Sequence, residues 1–394
     1  MSPSRRRLGP RVLIIALVIH AGIGATAAFF SRNPAPDFDR YYEIATSRGR
    51  PYVDYQVEHP IATLAVFKTL ASVTDGRLSF GIGVVSLNLI ADMMIVGSLF
   101  WGWGVVAAAA FAVAALPVLD LLLNRIDLWS TAAAAVAVAA WQRDRRALTA
   151  VAGIVGGAFK LWPLLFLVLL AVPRRDRVRA APIVIGALVA ASITAGWASI
   201  AGWRGLYEVL TFRGARGWQI ESAVGGIVHL LGARSLRLES GSWRIGATNG
   251  PVSIVLFLVA VPLCLWCVWQ GGRTRHLGTG WLAGVSSLLL LSPLLSAQFV
   301  GWLIPGAAIA WTEGDRRLSL VAALAIVLTE LFWNWYRAVI QGAAPALLLV
   351  VGRNLVLAVL AVQSIRALAR RSPVDGHLEP DLAAVAVVEG AERR

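Results

Sequence analysis

The sequence predicts an all-α polytopic membrane protein with about 12 transmembrane or re-entrant helices. Three observations carry that expectation. The 394 residues are 58% hydrophobic, with a mean hydropathy of +0.70. The apolar residues are gathered into repeated runs near the ~20 residues that cross a bilayer as a helix. Basic residues cluster in the short segments between those runs, as they do in cytoplasmic loops. A net charge of +14 spread over a soluble chain would suggest nucleic acid. Distributed this way it sets topology, and no nucleic-acid partner is expected.

The segment "MSPSRRRLGPR" precedes an apolar run near Val12–Phe30, longer than the core of a signal peptide. It reads as an uncleaved first span with the N-terminus in the cytoplasm. That span delivers Pro34–Pro60 to the outside, a stretch with three Asp, two Glu, four Tyr and three Arg. The run Ile61–Val73, interrupted by Lys68, is too short to cross and suits an amphipathic helix at the outer interface. Spans follow near Phe80–Phe100, Val105–Leu119 and Leu128–Trp141. As one helix, Ala147–Val172 would put "QRDRR" and "PRRDRVR" on opposite sides. Two short helices turning near "GGAFK" keep both clusters inside and place Lys160 at the outer tip.

Further spans are expected near Ala181–Ala201, Pro251–Gln270, Gly280–Leu291, Phe299–Trp311, Leu318–Trp335 and Ala343–Val362, with both termini inside. Residues 1–366 then make a single transmembrane domain with extracytoplasmic loops at 31–79 and 202–250. Residues 367–394 read as a disordered cytoplasmic tail. Cys264 and Cys267 lie in an apolar run and read as packing residues, since a thiol in hydrocarbon stays protonated. Trp101, Trp103, Trp197, Trp203, Trp333 and Trp335 fall near span ends, as an interfacial belt would.

This threading opens the first loop, "LDLLLNRID", Lys160, the 202–250 loop, "SPLLSAQ" and "WNWYR" on one face. A nucleotide-binding Gly-rich loop is missing from the sequence, and no nucleotide would be supplied on that side.

The first-loop residues Asp37, Tyr41, Ala45, Gly49, Pro51-Tyr52, Asp54 and Glu58-His59-Pro60 form a pattern that resembles glycosyltransferase family 87. Four more blocks, "NRIDLWS", "GAFKLWPLLFL", "RGARGWQIESAVGGI" and "LSPLLSAQFVGWLIP", extend the resemblance in order to about Pro305. His59 stands where the family usually has Tyr, and Gln298 where some members carry His. The resemblance implies a GT-C fold with interfacial helices in the outer loops, in the cell membrane. It implies transfer of a sugar, with mannose the expected one, from a polyprenyl-phosphate donor to a glycolipid or glycan among membrane lipids, with inversion. No cofactor and no metal are expected.

Such a reaction needs a base for the acceptor hydroxyl and positive or hydrogen-bonding groups for the departing phosphate. Asp37, matching the family's Asp, is the candidate base, with Asp39 its rival; Asp37 also suits the cap of the helix "FDRYYEIA". Lys160, Arg213, Arg216 and Arg125 are candidate phosphate ligands, because Arg grips phosphate in a bidentate manner and an intramembrane Lys is costly. Headgroup contacts by Lys160, or by an amphipathic helix through Arg213 and Arg216, are the bland alternatives. Gln219, Glu221, Glu58, His59 and Gln298 complete the candidate substrate contacts. Asp127 suits either a substrate contact or the cap of the following span. Asn88 and Asp92 share a helix face, and Arg353, deep in the last span, is expected to pair with Asp92 or Glu330. A lipid or glycan flippase is the rival class; it calls for inverted repeats and midplane charges, whereas the sequence shows no convincing internal repeat and its polar groups crowd one face.

Overall fold

The computed structural model describes residues 3–30, 36–173, 180–210, 215–233, 235–239, 241–246 and 250–372. Arg213 and most of the polar tail therefore lie outside the described residues. The chain is predominantly helical. Among the described residues, five helices are long and apolar enough to cross a membrane, and six shorter apolar ones accompany them.

Helix α1 (Pro3–Phe30) is followed by α2 (Pro36–Thr46) and α3 (Ile61–Ser72), which pack on one another. The chain then turns at Gly76 into α4 (Arg77–Trp103), reverses at Gly104, and returns through α5 (Val105–Ala115). Gly104 holds φ +84°, a left-handed turn that a side chain would resist, and this lets α5 fold back directly onto α4. A 3-10 turn and the short α6 (Leu119–Leu123) lead to α7 (Asp127–Gln142).

The sequence of α7, "DLWSTAAAAVAVAAWQ", is mostly Ala and Val, so neighbouring helices approach closely and bury it along nearly its whole length. Its neighbours are α4, α8 (Arg146–Phe159) and the 3-10 segment Trp162–Ala171. The last two form the expected hairpin, with the turn at Lys160. A methyl group on Gly156 would come within 2.8 Å of Pro163, and one on Gly157 within 2.4 Å of Leu164. The close approach of the two arms thus depends on those glycines.

Helix α9 (Ala180–Leu210) breaks at Gly202. Beyond it the loop carries a small sheet and one short helix, and the amphipathic helix that is the alternative reading around Arg216 does not form there among the described residues. Strands β1 (Trp218–Gln219), β2 (Leu236–Glu239) and β3 (Ser242–Ile245) form an antiparallel sheet in the order β1-β3-β2, with α10 (Ala223–Leu230) between β1 and β2 in sequence. Ser222 caps α10, its Oγ accepting the Gly225 amide at 3.1 Å.

Helix α11 (Gly250–Thr274) packs against α12 (Leu277–Leu291). The expected span Phe299–Trp311 is instead a 3-10 segment, Ala297–Leu303, continued by α13 (Ile304–Thr312). Pro305 lacks an N–H and suits the start of α13, where that donor is not needed. Helices α14 (Arg316–Asn334), α15 (Tyr336–Ile340) and α16 (Ala344–Ala369) close the bundle. Helix α16 runs past the expected tail boundary at 367, and Arg371 beyond it donates to Asp315 at 2.6 Å. Cys264 and Cys267 are buried, unbonded thiols in α11.

Among the buried polar residues of α1 and α4, His20 and Asp92 bond one another. His20 bonds Asp92 through Nδ1 at 2.6 Å and the Ala112 carbonyl through Nε2 at 2.8 Å. Asn88 donates to the Leu123 carbonyl at 2.7 Å. Asp92 therefore serves His20, and Glu330 takes the Asn334 amide at 2.7 Å. Neither meets Arg353, which donates instead to the Glu221 carbonyl at 2.6 Å. The expected pairing of Arg353 is corrected: its partner is a loop backbone oxygen, not a carboxylate on a neighbouring span.

Candidate active site

The helix reversals bring the start of α2, the turn before α7, the turn after α8, β1, the turn after α12 and the start of α15 to one end of the bundle. Asp37, in the first turn of α2, ion-pairs with Arg125 in the turn before α7. Arg125 is half-buried, and its guanidinium lies 5.7 Å from the Trp333 ring. Burial disfavours its charge, while Asp127, Glu221 and Tyr336 favour it. One cation thus lies in the field of several acidic groups from separate parts of the chain.

Beside it, Lys160 at the hairpin tip reaches Asp127 Oδ1 at 2.6 Å. The same oxygen accepts the Trp302 indole N–H at 3.0 Å. The ammonium is also boxed by aromatic faces, 4.5 Å from the Phe299 ring and 5.4 Å from that of Trp302. Trp302 stacks on Phe299 and on Trp162, which fixes its position. The Asp127 side chain does not cap α7, because the N-cap position is Ile126 and makes no side-chain bond. That part of the sequence reading is corrected: Lys160 and Trp302 take the carboxylate first.

A second group of polar residues adjoins this one. Gln219, on β1, donates to Ser296 Oγ at 2.7 Å and lies 3.4 Å from Glu221 Oε1. The Glu221 carboxylate lies beside the Tyr336 hydroxyl and the Ala297 amide, and its Oε2 has no hydrogen-bond partner. Burial raises its pKa, opposed by the charge of Arg353 and by those two neighbouring donors. The Tyr336 hydroxyl is pushed up by burial and by the carboxylate beside it. Arg353 and Asn354, adjacent on α16, both donate to the Glu221 carbonyl, at 2.6 and 3.3 Å.

The remaining candidates are placed differently. Asp39 is exposed and pairs with Arg77 at the start of α4. Glu58 receives Arg40 at 3.1 and 3.3 Å. The His59 ring is buried against Tyr41 and Phe67, and burial lowers its pKa to about 4 despite the nearby Glu58. It is therefore a neutral core residue at ordinary pH. Tyr52 is buried, with its hydroxyl on the His59 carbonyl at 2.6 Å, and presents no face for stacking. Arg216 is exposed, its amide held by Glu239 at 2.7 Å. Gln298 is half-buried at the start of the 3-10 segment that carries Phe299 and Trp302.

Trp302, Tyr336, Ser296 and Asn354 were not legible as site residues, although the "WNWYR" and "QFVGWLIP" stretches that hold Tyr336 and Trp302 stood out in the sequence. His276, Glu313 and Asp315, at the opposite end, are near enough to hold a metal ion. Their oxygens are already engaged: Glu313 accepts the Leu277 and Gly278 amides, and Asp315 binds Thr279 and Arg371. This group fastens the start of α12.

No protein-family model matches the chain, and no curated protein matches it. Among solved structures it is similar to that of ArnT from Cupriavidus metallidurans in the apo state. The sequence identity is 14%, with 88% of this chain and 77% of that chain covered and a TM-score of 0.47.

Proposed function

We propose that the chain is a GT-C-type membrane glycosyltransferase that moves a sugar, with mannose first to be tested, from a polyprenyl-phosphate donor to a glycolipid or glycan. The observation that supports this reading most is the meeting of Asp37, Arg125, Asp127 and Lys160 from three separate turns at one end of an apolar bundle. A lipid donor in the bilayer can bring its phosphate to that end without leaving the membrane. With the basic turns at the cytoplasmic side, that end faces the extracytoplasmic space and both termini face the cytoplasm.

In this reading the acceptor hydroxyl attacks the anomeric carbon and gives its proton to Asp37. The bond from that carbon to the phosphate oxygen breaks, and the phosphate leaves with the electron pair. The sugar inverts in one displacement. Arg125 and Lys160 offset the charge that builds on the departing oxygen. Both cations are already paired, so a phosphate must share or exchange their carboxylates. When Arg125 turns to the phosphate, Asp37 loses its partner and becomes free to accept the proton. Binding of the donor and exposure of the base are then one event.

The test uses purified protein in lipid vesicles with decaprenyl-phosphate mannose, radiolabelled in the sugar, and envelope lipids as acceptors. A new glycosidic product is expected. Movement of the label across the bilayer with no product would replace this reading with the flippase one.

A further inference from the structure

Arg353 is fully buried and uses one guanidinium nitrogen, Nη2, on the Glu221 carbonyl. The guanidinium lies 5.0 Å from the Phe332 ring, but its Nε and Nη1 make no hydrogen bond, nor do Gln219 Oε1 and Asn354 Oδ1. All three side chains are at least nine-tenths buried and surround the Glu221 segment. Unmatched donors and acceptors inside a protein are costly, and a charged donor is the costliest. Such groups are completed by ordered water or by a ligand that displaces it.

The chemistry of the group narrows that ligand. A phosphate would meet the Glu221 carboxylate and two amide oxygens, which repel it, and cations suited to phosphate lie elsewhere at Arg125 and Lys160. A metal ion would meet the Arg353 charge. A hydrocarbon chain would satisfy nothing. A hydroxyl group both donates and accepts, so two neighbouring hydroxyls can give to an amide oxygen or the carboxylate while taking N–H bonds from the guanidinium.

We infer that Gln219, Glu221, Arg353 and Asn354 form a carbohydrate subsite that holds vicinal hydroxyls of a sugar ring next to the phosphate-binding half. This rests on the glycosyl-transfer reading and deepens it. The ring belongs either to the donor or to the acceptor, and both present the same diol chemistry. Tyr336, beside Glu221 and near Arg125, joins the two halves.

The experiment measures saturation transfer by NMR from the protein, in nanodiscs, to methyl α-mannopyranoside. The wild type is expected to bind it, and Arg353→Met and Asn354→Leu to bind it at least about tenfold more weakly, as loss of a charged or paired hydrogen bond would require. Methyl glycosides lacking one ring hydroxyl test the same point on unaltered protein, whatever the variants do to folding, and at least one of them must bind more weakly.

Displacement of the glycoside by decaprenyl-phosphate mannose but not by decaprenyl phosphate identifies the donor's sugar; retention with both identifies the acceptor's. Absent binding, or binding insensitive to the variants and to every deoxygenated glycoside, overturns the inference. Label transfer is measured on the same sample. Transfer without glycoside recognition sinks this subsite alone, whereas recognition without any product sinks the transfer reading alone.

Discussion

Lys160 Nζ lies 2.6 Å from Asp127 Oδ1, and this contact pins the tip of the α8 hairpin to the start of α7. The carboxylate is 3% exposed and the ammonium 17%. Removing one partner strands the other in a poorly solvated place, at a cost of about 3–5 kcal/mol. Asp127→Asn should therefore lower the unfolding midpoint in detergent markedly. Lys160→Met combined with Asp127→Leu should recover most of that loss while leaving transfer abolished. Full activity in the double variant would remove Lys160 from the phosphate site.

Asp37 and Asp39 are separated by their partners. Asp37 meets the half-buried Arg125, whereas Asp39 is exposed and meets Arg77. Asp37→Asn should reduce label transfer roughly a hundred- to ten-thousand-fold, the usual contribution of a general base. Asp39→Asn should retain most of the wild-type rate. The reverse ranking would move the base to Asp39.

His59 provides a test by pH. Its folded pKa is about 4 against an ordinary value of 6.5, so between those values the unfolded chain holds more protons and stability rises with pH. The contribution is complete above the unfolded value and is lost as pH falls towards the folded one, about 3 kcal/mol in all. Unfolding midpoints measured from pH 4 to 7 should fall on the acid side, and His59→Phe should flatten that limb. An unchanged slope would mean that the ring is hydrated.

Both nitrogens of His20 face acceptors, the Asp92 carboxyl and the Ala112 carbonyl. The pair must hold two protons between them: either both on the ring, or one on the ring and one on the carboxyl. Either way it is neutral overall and tolerable within the bundle. His20→Leu alone should destabilise the protein by about 3–5 kcal/mol, and adding Asp92→Leu should restore most of it. Unfolding midpoints of the four chains give the coupling, and a value near zero would mean that the pair does not hold α1 to α4.

The hairpin at Lys160 was legible because charge placement forbade a single helix, and the glycines that let its arms touch stand in the motif itself. The lateral meeting of the first loop with "NRID" followed from threading. The partner of Arg353 did not, because it is a backbone oxygen in a loop and no residue pattern encodes that choice. The sheet over residues 218–245 was missed because strands of two to four residues leave too little alternation to detect. The division of Phe299–Trp311 rests on Pro305, whose missing N–H marks a helix start as readily as an interruption. Trp302 was hidden among many tryptophans with an ordinary interfacial explanation.

Because Asp37 and Asp127 already compensate Arg125 and Lys160, the resting site presents little net field to an anion approaching from solution. Sulfate or free pyrophosphate should compete poorly, and added salt should change donor affinity only slightly despite the chain's large positive charge. In the proposed reaction, selectivity would come from partner exchange at short range and from tethering the head group in the leaflet, not from long-range attraction.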